Sequence, residues 1–527
     1  MIEGILETKD YEKFCVSDQE FESATRASRA LVGDTVQVEN GSVTSIVKRG
    51  SHRGLVGVLE VSSKTKYGFT SRGTPIYLFI PWKESYPPFY VGSNHSTDYP
   101  VIAVVDFDSW APNANCPRGS CRFVIGPCGD LESEQQALLL HYCPNPWKKS
   151  VIPPELYERA WKPSITLEGA TFHVDPEGCR DIDDAITFVE SENGFVNVYI
   201  HIADVGSLLL TNPSLWRSAD LGQTLYRNGQ VAAGLFPESV ERACSLLPLQ
   251  IRPTLTLSFR WNSLTSTVSS IEWIHCYIKV KESYTYDSIY ETAHEPLLRK
   301  IAETLALKPL SDSHDWIAEF MLFYNREAAK CIKEFGEGIL RRHGAPDMEL
   351  LEKLRGLRSI PEHLAFQSGE YCSTGETETS HWGLQQAAYC HASSPIRRYA
   401  DCINQLSIMK AKFAREFEMP PCSVNALNQL SKSAKKYERD LFFLQNVLGL
   451  EKPEKLYGCI LDVCPKKVKI WIENWKLVVI VREPVQGWDL ELTVGAHVTV
   501  KVCVDPKQRN WKRKIVIVLK SLENIND

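Results

Sequence analysis

The sequence predicts a multidomain α+β protein with a large mixed α/β domain in the middle and small OB-type β-barrels on both sides. Three observations carry this. The chain has 527 residues and is 43% hydrophobic, more than one ordinary core accommodates. Both ends read as short, alternating, β-rich runs broken by Gly, Pro, Ser and Asn. The middle mixes clear strand patterns with long amphipathic helical ones. Four segments follow: residues 1–50 as a first, short barrel, 51–150 as a second, 151–452 as the mixed domain and 453–527 as a C-terminal barrel.

In chain order, Gly54–Glu60, Pro75–Phe79 and Tyr99–Asp106 read as barrel strands. The stretch from Tyr86-Pro87-Pro88 to Tyr99-Pro100 reads as a long surface connection, and Pro144 through Pro154 as a linker. Within the middle region Asn197–Ala203 alternates as a strand. Residues 313–335 place Ile317, Phe320, Met321, Tyr324 and Ala328 on one helical face. A second helix is expected from Val424 to Val447. The tail returns to strands at Lys467–Ile472, Trp475–Val481 and Lys514–Leu519, with a basic strip of Lys507, Arg509, Lys512, Arg513 and Lys514.

A net charge of −6 excludes a bulk basic surface. Any binding of nucleic acid must therefore use locally concentrated positive charge. The start, Met1-Ile2-Glu3-Gly4, lacks a secretory pattern, and no apolar run approaches the ~18 residues of a membrane span. A reducing compartment is expected, cytoplasmic or alternatively nuclear, with the 16 cysteines as thiols. Cys116, Cys121, Cys128, His141 and Cys143 lie close in sequence, but without the C-x₂-C spacing of zinc sites; buried thiols are the simpler reading.

The most informative stretch is His173-Val174-Asp175-Pro176-Glu177-Gly178-Cys179-Arg180-Asp181-Ile182-Asp183-Asp184-Ala185-Ile186, with four aspartates in ten residues between apolar flanks. Two unit charges at 4 Å repel by ~1 kcal/mol in water and ~4 kcal/mol at an effective dielectric near 20. Proton sharing, basic partners or a divalent cation must offset this. Oxygen ligands suit Mg²⁺, with Mn²⁺ as the alternative, and an incomplete aspartate cage suits phosphoryl chemistry. Helix capping by Asp181 or Asp183 is the bland alternative. No P-loop, G-x-S-x-G elbow or H-E-x-x-H is present.

Asp175–Ile186, with its Asp-Pro-x-Gly-x-x-Asp-Ile-Asp-Asp-Ala-Ile pattern, resembles the signature of the ribonuclease II family catalytic (RNB) domain. The resemblance continues in order through His201–Val205, Leu235–Glu238 with Cys244-Ser245-Leu246, Glu319–Asn325, Tyr389–Asp401 and Glu438-Arg439-Asp440. Arg29–Val36 looks like the first cold-shock domain of these enzymes, and the tail like their RNA-binding OB barrel. The surroundings of His391 look closer to the eukaryotic exosome-type branch, although no room is left for its PIN domain and docking on an exosome core is not expected. Departures are a short first barrel, Ala392 and Ser393 where Phe and Thr are usual, Gln405 where His is common, and one extra residue between Tyr226 and Pro237.

The resemblance implies a Mg²⁺-dependent exoribonuclease that shortens single-stranded RNA from its 3′ end, acting as a monomer with no membrane partner. It implies that Asp175 and Asp184 hold one metal ion, that Asp181 and Asp183 serve a second or position water and the terminal nucleotide, and that Arg397 clamps the scissile phosphate. Arg398 joins it as an RNA contact. Tyr226 grips the 3′-terminal nucleotide or is an ordinary core tyrosine. Glu438 lines the exit side or forms a helix-surface salt bridge. His391 contacts RNA or satisfies core polar groups. A catalytically silent RNA-binding protein on the same fold is the rival reading.

Overall fold

The computed structural model describes residues 2–147, 159–191, 194–356, 360–448, 450, 452, 454–464, 467–482, 492–505, 508 and 511–522. Most of the expected linker, together with Lys507 and Arg509 of the basic strip, lies outside them. The chain forms two compact units: residues 1–145, 357–360 and 436–527 in one, 146–356 and 361–435 in the other. The divisions fall at 145/146, at either end of 357–360 and inside the last long helix.

The first unit is built from β-structure. Where residues 1–50 were expected to give a barrel, two three-stranded sheets stand instead: Ile2–Ile5, Thr35–Glu39 and Ser42–Lys48 in one, Glu7–Thr8, Lys13–Val16 and Gln19–Glu22 in the other. Residues 7–22 pair only among themselves, with left-handed residues at Tyr11, Ser17 and Asp18 in the turns that join their strands. Leu6, Phe14, Val16, Val36 and Val38 pack into one core with the next element. That element is a closed five-stranded barrel of Leu55–Leu59, Ile76–Pro81, Phe89–Gly92, Val101–Ser109 and Arg118–Pro127. Phe89–Gly92 corrects the surface connection expected between Tyr86 and Pro100: Phe89 and Val91 point inward and are fully buried. A four-residue strand between Pro88 and Ser93 is too short to show an alternating pattern. The helix Leu131–Tyr142, capped by Asp130 through the Ser133 amide, follows the barrel. Glu454–Cys464, Lys467–Ile472, Leu477–Arg482, His497–Val504 and Ile515–Leu522 form a five-stranded C-terminal sheet with its own core.

The second unit centres on a seven-stranded sheet in the order Ile165–Thr166, Thr267–Lys279, Ile251–Asn262, Phe195–Ala203, Asp184–Glu190, Ala170–Val174, Glu282–Tyr284. Strand alternation gives it two apolar faces. Val196, Val198, Ile200 and Ile202 face the helix Ser313–Phe335, where Ile317, Phe320, Tyr324 and Ala328 are buried as expected and Met321 is only half-buried. That helix starts at Asp312, whose carboxylate accepts from the Asp315 amide, and stops at left-handed Gly336. Ala185, Ala203, Cys276 and Ile278 face the helix Tyr399–Phe413 through Tyr399, Ala400, Cys402 and Ile403. The helix Val424–Phe443 ends in a π-helical turn, Leu444–Leu448. Among the described residues no helix is long and apolar enough to cross a membrane.

Candidate active site

The acidic stretch is the connection between two neighbouring central strands, Ala170–Val174 and Asp184–Glu190. It is pinned along its length. A turn closes from the Cys179 amide to the Pro176 carbonyl, with Gly178 at φ 78°, a conformation only glycine adopts without strain. The Asp175 amide donates to the Tyr284 carbonyl. Ser245, fully buried, accepts from the Ile182 amide at 2.9 Å and donates to the Arg180 carbonyl at 2.7 Å. The Asp183 carbonyl accepts from the Ala203 amide. The Cys244-Ser245-Leu246 motif is therefore a clamp on this loop.

The four carboxylates meet different partners. Asp183 is buried; its Oδ1 accepts from the Ile396 amide at 2.8 Å and its Oδ2 faces Arg397 Nε at 3.3 Å. Burial pushes its pKa up to about 7, against the opposing pull of Arg397 and the Ile396 amide. Asp184 is half-buried and held well above the ordinary carboxylate range, first by desolvation and then by Asp175 and Asp183. Asp181 accepts hydrogen bonds from the Tyr226 hydroxyl and the Cys179 thiol. Asp175 pairs through Oδ2 with His173 Nδ1 at 2.8 Å.

Arg397 and Arg398 split as adjacent residues must. Arg397 turns to Asp183 and to Ser394 Oγ at 2.9 Å, with 45% of its side chain exposed. Burial is the largest influence and opposes its charge, but Asp183, Tyr226 and Asp401 together outweigh it and raise its pKa above the ordinary arginine value. Arg398 instead pairs with buried Asp401 at 2.8 Å, which also accepts from the Ser394 amide. Asn325 supports this loop, and Gln405 ties the end of the strand Phe195–Ala203 to the helix that follows the loop. Asn325 donates to Tyr389 and Ser393 and accepts from the Ala392 amide. Gln405, in the departing position, accepts from the Val205 and Gly206 amides and donates to the Ala203 carbonyl.

Tyr226 sits on a hairpin, Leu225–Arg227 with Gln230–Ala233, turned by Asn228 and Gly229 at positive φ. The Thr224 amide donates to the Arg397 carbonyl and the Tyr399 amide to the Gly222 carbonyl, which fixes the hairpin beside the arginine loop. His391 is half-buried, with Nδ1 3.0 Å from the Tyr371 hydroxyl. Desolvation and the cations Arg398 and Arg341 hold its pKa well below the ordinary histidine value. Glu438 is exposed on the last long helix, in the barrel-bearing unit.

Sequence reasoning missed Glu241 and Tyr286. Glu241 is pushed up to about 8 by burial and then by Asp181 and Glu238. Tyr286 is pushed up to about 12 by burial and then by Asp184 and Asp175. Neither carried a motif; only the fold brings them to the carboxylates.

Among the described residues no set of three or more His, Cys, Asp or Glu side chains is drawn together closely enough to hold an ion unaided. This holds also for the Cys116–Cys143 group, where Cys121 packs into the barrel core and His141 lies against Trp82 and Tyr142. Asp181 and Asp183 have protein partners on their carboxylates, Asp175 has one through Oδ2 alone, and Asp184 meets mainly other carboxylates. Asp175 and Asp184 offer the hard oxygens that suit Mg²⁺, which takes one or two carboxylates and completes its shell with water and substrate phosphate. The donor set fits such an ion.

Comparison with known proteins agrees with this geometry. The RNB domain family model matches residues 167–310 and 358–413. The model for Dis3-like cold-shock domain 2 (CSD2) matches residues 76–143. The human exosome complex exonuclease RRP44 is 26% identical over 474 residues, covering 72% of this chain and 48% of that protein. Ribonuclease R of Helicobacter pylori is 26% identical over 373 residues, covering 55% and 57%. The chain spans about half the length of the curated relatives it matches. Among solved structures, Mycoplasma genitalium RNase R in complex with ribose-methylated single-stranded RNA superposes with a TM-score of 0.75 at 14% identity, covering 98% of this chain and 100% of that one. Yeast Ssd1, a pseudonuclease, gives a TM-score of 0.62 at 16% identity over 95% and 81%. Residues 167–310 and 358–413, which hold the clamped loop of aspartates and the arginine facing it, thus match the RNB domain.

Proposed function

We propose that the chain is a hydrolytic 3′-to-5′ exoribonuclease that releases nucleoside 5′-monophosphates from single-stranded RNA with the help of Mg²⁺. The observation that carries this is the pairing of Asp183 with a half-exposed Arg397, beside carboxylates that are only partly compensated by the protein. The ribonucleases among the relatives, and the single-stranded RNA bound to Mycoplasma genitalium RNase R, support RNA as substrate.

Each residue has a chemical task. Asp175 and Asp184 would hold the cation. When bound, it supplies Lewis-acid polarisation of the phosphate and a more acidic water, worth several kcal/mol. Asp183 and Ser394 fix the Arg397 guanidinium so that its remaining N–H groups meet the scissile phosphate as charge builds. Tyr226, tied to Asp181, presents its ring to the terminal nucleotide. Arg398 is committed to Asp401 and acts by holding the loop. Stacking and backbone contacts leave little base preference.

A second reading, an RNA-binding protein without catalysis, is favoured by the likeness to Ssd1 and opposed by the presence of all four aspartates and Arg397. One experiment separates them. A 5′-labelled single-stranded RNA is incubated with the protein and Mg²⁺, with and without chelator, beside Asp184→Asn and a matched DNA. The proposal expects mononucleotide release and a short limit product, lost with chelator or the variant and absent with DNA. Intact but bound RNA with the wild-type protein would select the silent reading.

A further inference from the structure

His173 hydrogen-bonds Asp175 directly, and its arrangement is unusual. It lies on the strand Ala170–Val174, two residues before Asp175, so both side chains rise from one face. The ring is 4% exposed. Its Nδ1 lies 2.8 Å from Asp175 Oδ2, while Nε2 is buried and meets no hydrogen-bond partner among the described residues. The backbone of this pair is fixed as well: His173 is in register with Ser283, Val174 with Tyr284, and the Asp175 amide donates to the Tyr284 carbonyl.

The tautomer follows from the partners. A carboxylate accepts, so Nδ1 carries the proton and Nε2 is left as a bare lone pair. An imidazolium would instead bury an unsatisfied N–H. A buried imidazole with one nitrogen unused is a poor way to fill a strand position, where Val or Phe would pack without an orphan atom. What the ring does provide is a single N–H aimed at one oxygen of Asp175, which leaves Oδ1 for another partner.

We propose that His173 is a positioning residue that orients the Asp175 carboxylate for a divalent cation. This rests on the metal-dependent reading above. Asp175 then has one oxygen committed to His173 and one presented to the ion, the arrangement by which outer partners tune ligand orientation and basicity.

The test uses the full chain freed of metal, with Mn²⁺ as the probe, counted by electron paramagnetic resonance of the free ion, and Mg²⁺ titrated in the RNA cleavage assay. His173→Leu removes the donor at similar bulk; His173→Asn restores an N–H near the Nδ1 position. The expected result is Mn²⁺ affinity lower by about ten-fold or more in His173→Leu, in the range seen when outer partners of ligands are removed. The Mg²⁺ needed for half-maximal rate should rise in proportion, kcat at saturating Mg²⁺ should change little, and His173→Asn should recover most of the affinity. Unchanged Mn²⁺ affinity in His173→Leu overturns the inference, as does a His173→Asn variant as weak as His173→Leu, which would assign the ring to packing. If His173→Leu does not fold, His173→Ala is read by the same criteria. Wild-type protein that binds no Mn²⁺ and cleaves no RNA would instead sink the metal-dependent reading itself.

Discussion

Asp34 in the N-terminal sheets and Asp183 and Asp184 in the central sheet are all carboxylates taken largely out of water, yet their surroundings push them in opposite directions. Asp34 is fully buried, and burial alone would raise its pKa; His52, the Leu31 and Gly50 amides and Arg49 outweigh this and lower it. Four donors at 2.6–2.9 Å share its two oxygens. Asp183 has one amide and one arginine, and Asp184 meets mainly other carboxylates, so both stay raised. A carboxylate kept for architecture is satisfied from within the chain. One kept for chemistry is left with charge that only something from outside can meet.

Substitutions sharpen this contrast. Asp184→Asn should lower RNA cleavage by about 10³-fold, the scale of several kcal/mol of metal-assisted stabilisation, while leaving the fold intact; single-turnover cleavage and circular dichroism check both halves. Asp34→Ala should do the reverse. It should cost the barrel-bearing unit about 3 kcal/mol, because it strands buried donors, and should leave the chemistry at the arginine loop in place; urea unfolding and the cleavage rate read this. Ser245→Ala lies between the two. Loss of the clamp on Ile182 and Arg180 should cost about 1–3 kcal/mol, since it orphans one buried amide and one carbonyl, and should slow cleavage; the same two measurements apply. The smallest effect is in acid. Because the folded pKa of Asp34 is lowered, its contribution is complete above the ordinary carboxylate value of about 3.9 and fades as pH falls through the folded value. Melting curves of wild type and Asp34→Asn should therefore converge as pH drops below about 4; a constant gap down to low pH would break the comparison.

The parts legible in the sequence are those whose signal is local. Ser313–Phe335 has an Asp cap, an apolar stripe and a terminal Gly, and its limits fall where the residues say. Asp175–Asp184 announced itself by charge density, and the split between Arg397 and Arg398 follows from adjacency. Phe89–Gly92 was hidden because four residues carry no period. The first segment read as a barrel because Arg29–Val36 resembles a cold-shock domain; that local likeness does not show that residues 7–22 pair among themselves in a separate sheet. Glu241 reaches the site from a helix some sixty residues downstream of Asp181, which no spacing reveals. The His173–Asp175 pair was available, since residues two apart on a strand share a face, but nothing in composition marked it out.

The central claim, that the Asp175–Asp184 loop is left negative to receive a divalent cation, is tested most directly by thermal melting of wild type and Asp184→Asn with and without Mg²⁺. The account predicts that Asp184→Asn melts no lower than wild type without Mg²⁺, because a repelling charge is gone, and that Mg²⁺ raises the wild-type transition alone. An equal Mg²⁺ shift in both proteins, or a variant clearly less stable than wild type in metal-free buffer, would contradict it.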